Sequence, residues 1–88
     1  LEFAALVEDR PLTAAQLRAG RALLDWPQQR LAEAAEVGIS TVRDFEAGRR
    51  NPYPASMSAM RRAMEAAGVE FIPENGGGPG VRLRDRQD

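Results

Sequence analysis

Histidine, cysteine and lysine are all absent from this chain of 88 residues, and aromatics are scarce, with one Trp, one Tyr and three Phe. Without His or Cys there is no zinc finger, thiol nucleophile, Ser–His–Asp triad or imidazole acid–base relay. No disulfide or nitrogen/sulfur metal cage can staple the fold either. Folding at this size hides only roughly 60% of the chain's surface, so packing must hold the single domain that the length allows. The longest apolar run, Phe3 to Val7, falls far short of the ~18 residues of a membrane span, and no secretory signal is visible. These absences predict a small cytoplasmic globular protein that is not an enzyme and uses no metal or cofactor. The first residue is Leu1 rather than Met, which reads as a fragment or a processed chain.

The net charge of −1 looks hostile to an anionic partner, but the charges are segregated. Residues 1–9 carry −3, residues 10–62 carry nine Arg against five acids, and residues 63–88 carry five acids against three Arg. All twelve basic residues are Arg, whose planar fork of donors suits phosphates and guanine edges. Codon bias in a GC-rich genome is the alternative explanation. The central segment is therefore the one that could meet nucleic acid.

Punctuation by Pro and Gly divides the chain into an N-terminal extension (1–12), a helical domain (13–67), a hairpin (68–84) and a tail (85–88). In the extension, Phe3, Leu6 and Val7 could form one apolar turn. Thr13 is a candidate N-cap for a first helix that Asp25 and Pro27 stop near Leu24. A second helix runs from about Pro27 to Ala35, and a third from about Ile39 to Ala47, closed by Gly48. Arg49 to Pro54 forms an extended basic loop, under which Tyr53 is expected to pack. A fourth helix continues to Ala67, with Met57, Met60, Met64 and Ala67 on one apolar stripe. The period then changes from helical to two: Val69, Phe71, Val81 and Leu83 alternate with Glu70, Arg82 and Arg84, the signature of an antiparallel hairpin. Glu70 facing Arg82 or Arg84 would suit that pairing.

Two short helices joined by a tight turn, the second with a polar outer face, fit a major groove. On a helical wheel, Val42, Phe45 and Glu46 share the inner side of the third helix, while Ser40, Arg43, Asp44 and Ala47 share the outer side. An ordinary amphipathic helix in a small bundle would show the same periodicity. The residues themselves say more. Gln28-x-x-Leu31-Ala32-x-x-x-x-Val37-x-x-Ser40-Thr41-Val42-x-x-Phe45-Glu46-x-Gly48 resembles the helix-turn-helix of Cro/phage-repressor-type (Xre-family) regulators, over residues 13 to about 67.

That resemblance implies a mainly α fold, a four-to-five-helix lambda-repressor-like DNA-binding domain, here followed by the C-terminal β-hairpin or strand pair. It implies a structural ion pair between Arg21 and Glu46, and a Gln28 that touches a phosphate and braces the third helix. It also assigns base reading by position to Ile39, Ser40, Arg43 and Asp44. Arg43 is the best reader, bidentate to guanine. Asp44 would either accept from a cytosine amino group or, the favoured option, orient Arg43. Thr41, Gln29, Arg49, Arg50 and Asn51 are candidates for the DNA backbone. The chain departs from the family pattern in having Glu36 where a left-handed Gly is usual. The expected cost is on the order of 1 kcal/mol unless the turn rearranges around Gly38. Pro27 likewise stands in place of a polar N-cap.

The expected partner is double-stranded DNA, bound by a homodimer, with Val69, Phe71, Val81 and Leu83 as a possible dimer interface and no membrane contact. The function that follows is a sequence-specific transcriptional regulator at the nucleoid. Two alternatives stand beside it. One is an antitoxin of the same fold that holds a toxin and autoregulates its operon. The other is a protein-interaction module without DNA contact. A further protein partner, a toxin or the transcription machinery, is also conceivable.

Overall fold

The computed structural model describes residues 12–85, so the expected turn at Phe3, Leu6 and Val7 and the end of the tail lie outside the described residues. The described residues form four helices and a two-stranded antiparallel sheet: α1 (Ala14–Leu24), α2 (Gln28–Ala35), α3 (Ile39–Glu46), α4 (Pro54–Ala66), β1 (Val69–Ile72) and β2 (Gly80–Leu83). The chain is mainly helical, with the strand pair at its C-terminal end, in line with the expected fold class.

Local chemistry sets the boundaries. Thr13 opens α1 with a capping box, its hydroxyl accepting the Gln16 backbone N–H at 3.0 Å while Gln16 Oε1 accepts the Thr13 N–H at 3.0 Å. Such a cap contributes ~1 kcal/mol. Pro27 has no side-chain acceptor for α2, and Pro54 occupies the first turn of α4, where a missing N–H costs nothing. The helices α1, α2 and α3 all end in the same way. A left-handed residue (Asp25, φ 58°; Glu36, φ 58°; Gly48, φ 75°) turns the chain back. The next N–H then bonds a carbonyl five residues earlier: Trp26 to Arg21, Val37 to Ala32, Arg49 to Asp44. Only the third end uses Gly. At the turn before α3, Glu36 takes up the left-handed conformation itself and Gly38 stays extended (φ −68°, ψ 146°), so the turn does not rearrange around the glycine.

The core joins Leu12 and Leu17 to Leu31, Val42, Phe45, Met60, Met64 and Val69. Within it α2 packs on α3 and α4, and α1 packs on α3 and on both strands. Close approach explains Gly20 in the middle of α1: a Cβ there would stand 2.6 Å from Met64 Cε. The methionine stripe is buried at Met60 and Met64 and half-buried at Met57. Ala67 is exposed, contrary to expectation, because α4 has already ended at Ala66 and the chain is turning away.

The strands pair Val69 with Leu83, Glu70 with Arg82, Phe71 with Val81 and Ile72 with Gly80. Their apolar side closes the helical core. Val69 is fully buried, and Phe71, Val81 and Leu83 are half-buried against the same cluster. Arg61 covers Phe71 further, its guanidinium 5.7 Å from the ring centroid. The four side chains expected as a possible dimer interface are thus the face that packs on the chain's own helices. Gln16 fastens this sheet to α1. Its Nε2 donates to Ile72 O at 3.2 Å and to Gly80 O at 3.0 Å, while its Oε1 caps the helix start.

Candidate functional site

The third helix presents two unlike sides. Inward, Val42 and Phe45 are buried beside Glu46, whose side chain is 3% exposed. A carboxylate so deprived of water needs full hydrogen bonding, and α1 and α2 supply it. Arg21 donates from Nε to Oε2 and from Nη2 to Oε1, both at 2.7 Å, and Gln28 Nε2 donates to Oε1 at 3.0 Å. The remaining reach of Arg21, through Nη1, goes to Trp26 O at 2.9 Å, tying the α1–α2 turn into the same cluster. The Glu46 bond raises the Arg21 guanidinium above its ordinary value despite the opposing effect of burial. The amide of Gln28, expected on a phosphate, is turned inward here.

The C-terminal end of α3 is also satisfied. Arg43 O, Asp44 O and Phe45 O accept the N–H groups of Ala47, Arg49 and Gly48, and Glu46 O accepts Arg18 Nη1 at 2.6 Å. All four terminal carbonyls therefore have partners, one of them from a different helix. Arg18 carries this cap, and sequence reasoning gave it no role because the contact joins residues 28 positions apart.

Outward, Ser40 and Arg43 are exposed and Thr41 is half-buried. Arg43 has no hydrogen-bond or ion-pair partner among the described residues. Ile39 leans its side chain on the core instead of standing clear. Asp44 does not orient Arg43: its Oδ1 accepts from Arg49 Nε at 3.1 Å and Nη2 at 3.0 Å. Arg50 and Asn51 are exposed. Gln29, also exposed, is turned along its own helix, donating to Glu33 at 3.0 Å.

The outer side of α3, the α3–α4 loop and the start of α4 together enclose a cleft of about 230 Å³. Ser40, Thr41, Asp44, Arg50, Asn51, Pro52, Tyr53 and Ser56 line it. Tyr53 does not pack under the loop. It is 82% exposed, on a backbone that is extended (φ −59°, ψ 150°) between Pro52 and Pro54. Pro-Tyr-Pro in the sequence signals the extended backbone but not the direction of the ring.

The family described as Helix-turn-helix domain matches residues 13–71. The chain belongs to the helix-turn-helix domain family. No curated protein matches the sequence. The family match covers all four helices and ends inside β1, so β2, which completes the sheet, lies beyond it. The helix-turn-helix is α2, the Glu36-Val37-Gly38 turn and α3, with α1 and α4 as its supports. Among the described residues no cluster of acidic side chains could hold a metal ion, and no helix is long and apolar enough to cross a membrane.

Proposed function

We propose that this helix-turn-helix protein is a sequence-specific double-stranded DNA-binding transcriptional regulator of the Cro/phage-repressor (Xre) type. The observation that carries the reading is the asymmetry of α3: its inner side is bonded throughout, while its outer side offers exposed Ser40 and an Arg43 without a partner among the described residues. A helix held by one face and free on the other is ready to enter a major groove without reorganising. In this reading Arg43 reads guanine, with Ser40 and Thr41 as small neighbours that let the helix approach. Arg50, Asn51 and Tyr53 follow the phosphate backbone along the cleft. Ile39 keeps at most a methyl contact, since its side chain is shared with the core.

The domain comprises residues 13–67, with the hairpin 68–84 as a structural closure. One module reads few base pairs, so two copies on a two-fold site, with half-sites ~34 Å apart, supply the needed length. Their contact then lies elsewhere than on Val69, Phe71, Val81 and Leu83. An antitoxin role is less favoured, because the segment that would hold a toxin is folded onto α1 and α4. The protein acts in the cytoplasm, at the nucleoid, without a cofactor.

Selection of bound duplexes from genomic fragments and from a randomised library tests the reading. The wild type should recover a defined site, and Arg43→Ala should weaken its discrimination by ~1–3 kcal/mol while keeping general affinity. Failure of the wild type to retain any duplex sinks the proposal.

A further inference from the structure

Arg49 stands just past the recognition helix, where a phosphate clamp is expected, yet its bonding is wrong for one. Both Nε and Nη2 are committed to Oδ1 of Asp44, at 3.1 and 3.0 Å. The backbone adds a second latch. Gly48, at φ 75°, reverses the chain, and the Arg49 N–H bonds Asp44 O at 2.9 Å. The guanidinium is thereby folded back over the outer side of α3 and anchored on the helix. Its side chain remains 64% exposed, that of Asp44 32%.

Two physical consequences follow. A guanidinium has five N–H donors, and this pairing leaves both hydrogens of Nη1 and one of Nη2 uncommitted among the described residues. Those donors form a planar fork matched to two acceptors side by side. What the fork can approach is decided by charge. The pair is close to neutral, so a phosphate meeting it would release little counterion. That phosphate would also sit near the Asp44 carboxylate, whose like charge repels it even through water. The O6 and N7 atoms of guanine are uncharged acceptors at the spacing the fork requires, and they bring no such repulsion.

We propose that Asp44 is a positioning residue that holds Arg49 as a second guanine reader, and that Arg49 is not a contact to the DNA backbone. The inference rests on the DNA-binding reading of α3 and goes beyond it in assigning these two roles. Four proteins decide it: the wild type, Arg49→Ala, Arg49→Lys and Asp44→Asn, each checked for an unchanged fold by circular dichroism. Each is taken through selection on a randomised duplex library, and its affinity for a fixed duplex is measured across a salt series.

Arg49→Ala should reduce preference for guanine at one position by roughly ten- to hundred-fold, with little change in salt slope. Arg49→Lys should lose the same preference, because an ammonium cannot make the fork, whereas a phosphate clamp would survive this exchange. Asp44→Asn should release Arg49, so that guanine preference falls while general affinity rises and the salt slope steepens by about one. The opposite pattern overturns the proposal: an unchanged selected site with a shallower salt slope in Arg49→Ala, restored by Arg49→Lys. A wild type that retains no duplex overturns the DNA reading itself. A wild-type site that all three variants preserve overturns only the roles of Arg49 and Asp44.

Discussion

On one side of α3 every polar atom is spoken for, and on the other an arginine reaches into solvent. Glu46 accepts three side-chain hydrogen bonds from two other helices and gives its carbonyl to a fourth donor, Arg18. Among the described residues no buried side-chain nitrogen or oxygen is left unpaired. Arg43, a turn earlier, has none of this. The difference separates two tasks: inner polar groups fix where the helix lies, so that outer ones can be exchanged without moving it. A fixed helix loses less freedom on binding, which is how rigidity on one side serves recognition on the other.

The sharpest way to break this comparison is to remove the inner hub. Glu46→Ala would leave the Arg21 guanidinium, 19% exposed, and the Gln28 amide without their acceptor. Loss of one partner of a buried pair costs ~3–5 kcal/mol, a large share of the ~5–15 kcal/mol that holds a domain together. Denaturant midpoints should show the protein near or past unfolding. Arg43→Ala, made on the outer side, should stay within ~0.5 kcal/mol of the wild type. Equal costs for the two would mean that α3 is held by apolar packing alone.

Gln16 is a second buried hub, and it holds the hairpin as Glu46 holds α3. Gln16→Leu removes two bonds to the strand carbonyls Ile72 O and Gly80 O and the half of the α1 capping box in which Gln16 Oε1 accepts the Thr13 N–H. The expected cost is ~2 kcal/mol, with faster amide exchange confined to residues 69–83. The outer side of α3 is remote from this hub, so the selected duplex should not change. A changed site would show that the hairpin steers the recognition helix.

What could be seen in the sequence was what depends on near neighbours. Thr13, Pro27 and Gly48 mark helix ends because capping and chain reversal are local. The switch of period at Val69 announces strands because alternation needs only four or five residues. Alternation also shows which side of a strand is apolar, but not what covers it, so the pattern of Val69 and Phe71 fits a second copy and the chain's own core equally well. The partner of Asp44 was hidden for a related reason. A wheel places Asp44 beside Arg43, while the reversal at Gly48 brings Arg49 closer. Gln16 joins residues 56 and 64 positions away, a link that no local rule reaches. Tyr53 stands exposed although an aromatic is ordinarily worth burying, and the flanking prolines announce only its extended backbone.

The left-handed helix ends allow a finer test of what sets α3. Glu36 holds φ 58° with a side chain, at the joint between α2 and α3. Glu36→Gly relieves roughly 1–2 kcal/mol of steric cost, offset by the ~0.5–1 kcal/mol that glycine loses in chain entropy. A net gain of up to ~1.5 kcal/mol should appear as a higher thermal midpoint. If the Glu46 cluster and not the strained turn orients α3, the selected duplex stays the same. A more stable protein with altered specificity would transfer that role to the turn.

The smallest expected effect contrasts the buried pair with an exposed one. Arg82 donates to Glu70 across the strands at 3.0 and 3.3 Å, and both side chains stand well out in solvent. The hydrogen bonds from Arg82, and then its charge, hold the Glu70 carboxyl below its ordinary value of 4.5. A carboxyl whose value is depressed by folding stabilises the native state fully above its unfolded value, and that contribution fades as pH falls through the folded one. Wild type and Glu70→Gln should therefore differ slightly in thermal midpoint at neutral pH and converge in acid. Added salt should shrink the neutral-pH difference, since solvent screens exposed pairs. The Arg21–Glu46 pair, shielded from that solvent, should keep its large effect in the same salt. If salt weakened both pairs alike, the inner cluster would be wetter than its bonding implies, and the contrast between the two sides of α3 would narrow accordingly.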